Sequence, residues 1–211
     1  MTDAVDARRV RLVLASRNAH KVAELRRILT DADLAIDLLT VADFPDVPDV
    51  VESGVTFAEN ALLKARAVAA ATGVAAVADD SGFRLDVLGG MPGVFSARWS
   101  GRHGDDRANL ELVLAQVADV PDEHLGASFV CAAALSRPGA DDVVVEGVWP
   151  GRMARAPRGT NGFGYDPIFV PEGGTRTSAE LADDEKDAAS HRGRALRALL
   201  PALRELVVEE G

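Results

Sequence analysis

The sequence predicts an α/β fold on a mixed sheet: helix-type and strand-type hydrophobic spacing alternate through its first half, and a hairpin of two long apolar runs follows. Residues 10–15 (VRLVLA) are a short β-branched run, and after a polar turn come apolar residues at Val22, Leu25, Ile28 and Leu29, which reads as strand, loop, helix. Residues 35–40 give a second strand. The segment FPDVPDVVESG, with Pro45 and Pro48, then opposes regular structure, and a loop of this kind often borders a site. Thr56-x-x-Glu59 has capping-box spacing and opens a helix that runs to about Ala71 and ends at Gly73. Residues 75–78 read as a strand stopped by Asp79-Asp80-Ser81-Gly82, which puts two carboxylates at a strand's carboxyl end, where open α/β sheets place chemistry. GGMPGVFSARWSGRHG, with five Gly and one Pro, should be irregular, and residues 105–118 resume helical spacing through Leu110, Val113, Leu114 and Val117. The runs 128–136 and 143–149, separated by Arg-Pro-Gly-Ala-Asp-Asp, form the antiparallel hairpin. The loop GTNGFGYDP leads to a strand at 168–170. A last helix from about Ser190 carries Leu196, Leu199, Leu200, Leu203 and Leu206 on one face, with Pro201 expected to kink or restart it.

The chain has 211 residues, 47% of them hydrophobic, and a net charge of −10, as expected of one soluble globular domain over 1–211 with a disordered leader at 1–9. Cys131 has no partner for an internal disulfide and the start MTDAVDARRVRL has no apolar signal core, so the cytoplasm is the expected compartment. The longest uncharged stretches, 67–78 and 125–136, have 12 residues each, against the ~20 of a membrane span, so no membrane crossing is expected. The acidic balance repels polyanions and argues against nucleic-acid binding, while a small anion can still enter a local basic pocket. Lysine occurs only at Lys21, Lys64 and Lys186, against 20 arginines. A chain so biased keeps lysine either by chance or where a compact, flexible ammonium serves and a planar fork does not.

Several chemistries lack support. No lysine follows a glycine, so there is no Gly-Lys-Ser/Thr phosphate loop, and G-x-G-x-x-G, G-x-S-x-G and H-E-x-x-H are all absent. Cys131 lies in FVCAAAL on an expected core strand, where a structural role fits better than a nucleophilic one.

Asp79, Asp80 and Glu52 remain as carboxylates of the kind that hold Mg²⁺ together with waters and phosphate oxygens, although an Asp pair after a strand more often only caps a turn. Lys21 falls in Ser16-Arg-Asn18-Ala-His-Lys21, a loop and first helical turn where free N–H groups and an ammonium can meet phosphate. Asn60 and Lys64 share one helix face, and Lys186, His191 and Arg192 cluster in EKDAASHRG. Each also has a plainer reading as ordinary solvated surface.

Together with Gly89-Gly-Met-Pro-Gly93, Ser96-Ala-Arg, Gly162-Phe-Gly-Tyr-Asp-Pro167 and Ser190-His-Arg-Gly193, these strings resemble the inosine triphosphate pyrophosphatase family, also called XTP/dITP diphosphatases, from about Val10 to Leu206. The resemblance implies an elongated mixed sheet flanked by helices, with two lobes and the active-site cleft between them. It also implies an Mg²⁺-dependent homodimer that converts ITP, dITP and XTP to monophosphates and pyrophosphate, keeping deaminated purines out of DNA and RNA. By resemblance, Ser16, Arg17, Asn18, Ala19, His20 and Lys21 form the phosphate loop, with Asn18 and Lys21 as its main contacts, and Lys64, beside Asn60, is a second phosphate contact. Glu52 and Asp80 match the metal ligands, Asp80 also as proton acceptor, with Asp79 beside it as a further metal candidate and Ser81 touching substrate. Phe163, Gly164, Tyr165 and Asp166 match the base-binding loop, and Lys186, His191 and Arg192 close over base and phosphate. Arg17 and Asn161 stand where glycine is common in the family; positive φ would be costly at Arg and mild at Asn.

The chemistry fits this assignment. Water attacking the α-phosphorus with pyrophosphate leaving requires a polyanion to be neutralised, which Mg²⁺ and several cationic donors supply. Hypoxanthine and xanthine present an O6 acceptor where adenine has an amino donor, so donors from His191 and Arg192 would favour O6. Rival readings are a related pyrophosphatase preferring modified pyrimidines, like the septum-formation-inhibitor relatives, and a noncatalytic nucleotide-binding domain.

Overall fold

A computed structural model describes residues 9–210; the expected leader at 1–9 lies, Arg9 aside, outside the described residues. Strands β1 (Val10–Leu14), β2 (Ile36–Thr40), β3 (Ala76–Leu85), β4 (Met91–Pro92), β5 (Gly126–Ser136), β6 (Val143–Met153) and β7 (Phe169–Pro171) form one mixed sheet. Its order is β2-β1-β3-β5-β6-β7, with β4 alongside β3; β1 runs parallel to β2 and β3, and every other pairing is antiparallel. The helices are α1 (Ala19–Asp31), α2 (Phe57–Thr72), α3 (Asp106–Gln116), α4 (Asp183–Ala189) and α5 (His191–Glu210).

Local chemistry sets the element ends. The Thr56 hydroxyl accepts from Glu59 N and the Glu59 carboxylate accepts from Thr56 N, so both caps of the expected box are present at the start of α2. Gly73 closes that helix at φ 67°, a left-handed conformation that glycine adopts without a Cβ clash.

Three expectations are corrected. The strand expected to stop at Ala78 runs on to Leu85, because β5 pairs with it over its whole length, from Ala76↔Ser136 to Leu85↔Ala127. Asp79 and Asp80 therefore lie within a central strand, not at its end. Pro201 neither ends nor restarts α5: it sits on the exposed side, opposite the buried Leu196, Leu199, Leu203 and Leu206, where water can satisfy the carbonyl its missing N–H leaves free. The segment after Leu88 is partly ordered, with β4 and a 3₁₀ turn at Gly93–Arg98 whose Ser96 hydroxyl accepts from Phe83 N (2.9 Å) and donates to Gly93 O (2.6 Å). The short helix α4 has no hydrophobic period to announce it; Asp183, Asp184 and Glu185 favour its N-terminus through the helix dipole.

Two cores occupy one face of the sheet. The first packs Ala75, Val77, Cys131, Ala133 and Leu135 under α1 and α5, and the second packs Phe83, Leu85, Phe129, Trp149 and Phe169 with α3 residues Leu110 and Val113. The other face carries α2, through Ala61 and Ala65 against Ala78, Ala132 and Ala134. Along β3, Asp79, Asp80 and Ser81 fall between the two cores. The lobes meet there.

Candidate active site

The site begins where β1 runs out. Its last parallel partner is Leu14↔Val77, and Ala15 N still donates to Val77 O (2.8 Å). Two residues further along β3 that edge has no strand beside it, and the Asp79 carbonyl accepts from Lys64 Nζ of α2 instead (2.7 Å). The chain leaving β1 turns through Ser16 and Arg17 into α1, capped by Asn18, whose side chain accepts from His20 N (2.9 Å) and Lys21 N (3.4 Å). Asn18 thus shapes the loop with its side-chain oxygen.

Successive strand residues point to opposite faces, and this splits the acidic pair into two ion clusters. Asp80 faces α2. Its Oδ2 accepts from Asn60 Nδ2 (3.0 Å), its Oδ1 lies 3.7 Å from Lys64 Nζ, and the same ammonium donates to Glu52 Oε1 (2.7 Å). The fully buried Asn60 also accepts from Gly54 N (2.8 Å), which ties the Glu52 loop to the helix. A Cβ at Gly54 would stand 2.7 Å from both Asn60 Oδ1 and Glu59 Cβ, so only glycine allows that approach. Burial pushes the Asp80 carboxyl above its ordinary range, and Glu52 and Asp79 add to this against the pull of Lys64 and Asn60. Asn60→Ala strands the Gly54 N–H and an oxygen of Asp80. Urea titration should show a loss of about 1–3 kcal/mol per stranded group, and an unchanged midpoint would remove Asn60 from this role.

Asp79 faces α1 and α5. Its Oδ2 accepts both Lys21 Nζ (2.8 Å) and Arg192 Nε (3.1 Å), while Arg192 also reaches Ser81 Oγ (3.4 Å) and lies 3.8 Å from Glu24 Oε2. Burial alone would raise the Asp79 carboxyl, but Lys21 and Arg192 outweigh it and hold it well below the usual carboxylate range. No sequence motif marks Glu24. It is a buried acid on the face of α1 that also carries Leu25 and Ile28, and one of its oxygens has no partner.

The loop after β6 behaves differently from the expectation that all of it meets the base. Phe163 is 63% exposed and its ring centroid lies 5.7 Å from Lys186 Nζ, whereas Tyr165 is only 3% exposed, stacks on Phe83 at 4.8 Å and donates its hydroxyl to Ser96 O. Tyr165 is therefore a core residue that anchors the loop, and Phe163 is the free ring. Asp166 is buried and accepts from Lys186 (2.5 Å), Phe163 N (2.8 Å) and Ser178 Oγ (2.7 Å), so it organises the loop from beneath, while Gly164 N donates to Asp106. His191 stacks on Phe129 at 4.9 Å with Nδ1 unpartnered; burial first, then Arg192 and Lys186, push its pKa well down, so the ring is neutral. Ser190 caps α5 by accepting from Gly193 N (3.0 Å), leaving the first-turn N–H groups of His191 and Arg192 as donors.

Ala19 and His20 are exposed in the first turn of α1, and Arg17 pairs outward with Asp49 (2.6 Å). Among the described residues only Asp33 has positive φ outside glycine, so Arg17 and Asn161 hold ordinary backbone. A cavity of about 300 Å³ lined by Ser16, Arg17, Val47, Asp49 and Lys64 adjoins the clusters. Among the described residues no group of three or more His, Cys, Asp or Glu side chains could hold a metal ion. Glu52 and Asp80 offer two carboxylates, a set that suits Mg²⁺ when substrate oxygens and water complete the octahedron.

A family model described as the Ham1 family matches residues 12–202. A dITP/XTP pyrophosphatase of Streptomyces coelicolor is 64% identical over 197 residues, covering 93% of this chain and 98% of that one. Among solved structures, a nucleoside-triphosphatase / dITP/XTP pyrophosphatase of Mycobacterium abscessus aligns at 58% identity with a TM-score of 0.79, covering 92% of this chain and all of that one. A HAM1 protein of Coxiella burnetii aligns at 44% identity with a TM-score of 0.85, covering 93% and 99%.

Proposed function

The chain belongs to the Ham1 family, and from that footing we propose that it hydrolyses the noncanonical purine nucleoside triphosphates ITP, dITP and XTP to monophosphate and pyrophosphate by attack of water at the α-phosphorus. The observation that carries this reading is the convergence, where β1 ends, of three cations from three helices on the two acids of one strand: Lys64 from α2, Lys21 from α1 and Arg192 from α5. That many cations beside an open strand edge suits a polyanion, and Asp80, the carboxylate raised by burial, suits proton acceptance.

Glu52 and Asp80 would hold Mg²⁺, which when bound supplies charge neutralisation on the triphosphate. Asp79 we read as the anchor of Lys21 and Arg192 rather than as a metal ligand, because its Oδ2 already accepts both. Lys21, with the loop 16–21, holds phosphate oxygens, and Asp80 orients and deprotonates the attacking water. The purine stacks on Phe163, and the N–H groups at the start of α5 donate to O6, which opposes an adenine amino group. The protein acts as a homodimer, a reading supported by the apolar Val87 (42% exposed), Met91 (40%) and Phe95 (43%), which lie within nine residues of one another in the segment after β3 that includes β4. It works in the cytoplasm and as one domain, with one sheet serving both lobes; among the described residues no helix is long and apolar enough to cross a membrane.

The test is pyrophosphate release from dITP, XTP, dUTP, dGTP and ATP, with and without Mg²⁺. Turnover of dITP and XTP far above the others is the expected result; dUTP as the best substrate would point to a pyrimidine enzyme, and no turnover at all to a binding domain. Phe163→Ala should raise KM for dITP about tenfold with little change in kcat, since base stacking is worth about 1–3 kcal/mol. An unchanged KM would take the ring out of the base site.

A further inference from the structure

Lys64 lies between the two carboxylates that would hold the cation. Its ammonium is 2.7 Å from Glu52 Oε1 and 3.7 Å from Asp80 Oδ1, the two carboxylates assigned to the cation, and its side chain is only 16% exposed. Two carboxylates converging on one partly buried site repel each other unless a positive charge lies between them. In the free protein that charge is the ammonium. The same side chain lines the cavity shared with Ser16 and Arg17, on the phosphate-loop side. Lysine has a long, flexible stem, so rotation about its side-chain bonds can carry the ammonium from the acids towards that loop.

We propose that Lys64 is the resident counter-ion of the Glu52–Asp80 pair and is released to the triphosphate when nucleotide arrives, so that divalent cation and nucleotide bind with positive coupling. The proposal rests on the functional reading above. Metal alone must displace the ammonium, and nucleotide removes that competitor by offering it phosphate oxygens. Coupling of this kind is reciprocal: bound metal must improve nucleotide affinity by the same factor. A free protein that holds metal weakly therefore commits its site only when substrate is present.

The probe is Mn²⁺ alone, titrated into nucleotide-free protein at pH 8 and read by electron paramagnetic resonance. Lys64→Met should bind Mn²⁺ at least about tenfold tighter than wild type, a difference of about 1.4 kcal/mol, while Lys64→Arg, which keeps the charge, should bind as weakly as wild type. Lys64→Met no tighter than wild type, or Lys64→Arg as tight as Lys64→Met, overturns the proposal. Should Lys64→Met fail to fold, wild type still decides, because the chain has only three lysines and its ammonium NMR spectrum has few signals to assign. The Lys64 signal should shift when the α,β-imido analogue of dITP is added in EDTA, and a signal that stays put overturns the proposal. Wild-type turnover of dITP without these effects sinks the counter-ion role alone, whereas absent dITP and XTP turnover sinks the functional reading whatever Mn²⁺ does.

Discussion

Asp80→Asn is expected to lower turnover of dITP by about 10³-fold or more while nucleotide affinity measured in EDTA, where metal coupling plays no part, stays within a few-fold of wild type. Loss of a general base alone costs about 10²–10⁴ in rate, and here the same change also removes one of the two carboxylates offered to the cation. The fold should tolerate it, because an Asn side chain has the same shape and its oxygen can still accept from Asn60 Nδ2, as Asp80 does at 3.0 Å. Binding should survive because Lys21 and Arg192 are held by Asp79 on the opposite face of the strand. Single-turnover rates and equilibrium binding of the imido analogue separate the two effects. Near-normal turnover would remove Asp80 from its assigned role.

Asp79→Ala should be the most destabilising single change in the site. Removing one partner from a buried ion pair costs about 3–5 kcal/mol, and here two cations share the lost oxygen, Lys21 at 2.8 Å and Arg192 at 3.1 Å. The effect depends on pH. The folded Asp79 carboxyl takes up its proton at lower pH than the unfolded chain does, so its contribution is complete above the ordinary carboxylate range and is lost as pH falls through that range towards the folded pKa. The gap in urea stability between wild type and Asp79→Ala should therefore narrow steadily as pH falls below about 4, by at most about 1.4 kcal/mol per pH unit. A gap that stays constant from pH 7 to pH 3 would mean that Asp79 does not anchor the two cations.

The helices were legible where local chemistry sets them: the Thr56–Glu59 box and Gly73 carry their own geometry, and both ends of α2 fall where those residues put them. The continuation of β3 through Asp79 and Asp80 was not, because acids survive in a central strand only when distant residues pair with them. Their partners lie as far off as Arg192, 113 positions away. Once the strand is known to continue, its two-residue period alone sends the two acids to opposite faces. Tyr165 and Phe163 could not be told apart from a motif that holds both; what separates them is a ring at Phe83 and a carbonyl at Ser96. The three lysines were the most informative positions. Lys21 and Lys64 meet the acids of β3, and Lys186 pairs with the buried Asp166 beneath the base loop.

Hydrolysis of dITP in H₂¹⁸O, with the products separated and weighed by mass spectrometry, tests water attack at the α-phosphorus most directly. One ¹⁸O in the monophosphate with unlabelled pyrophosphate is the predicted result; label in pyrophosphate, or release of orthophosphate instead, would contradict it.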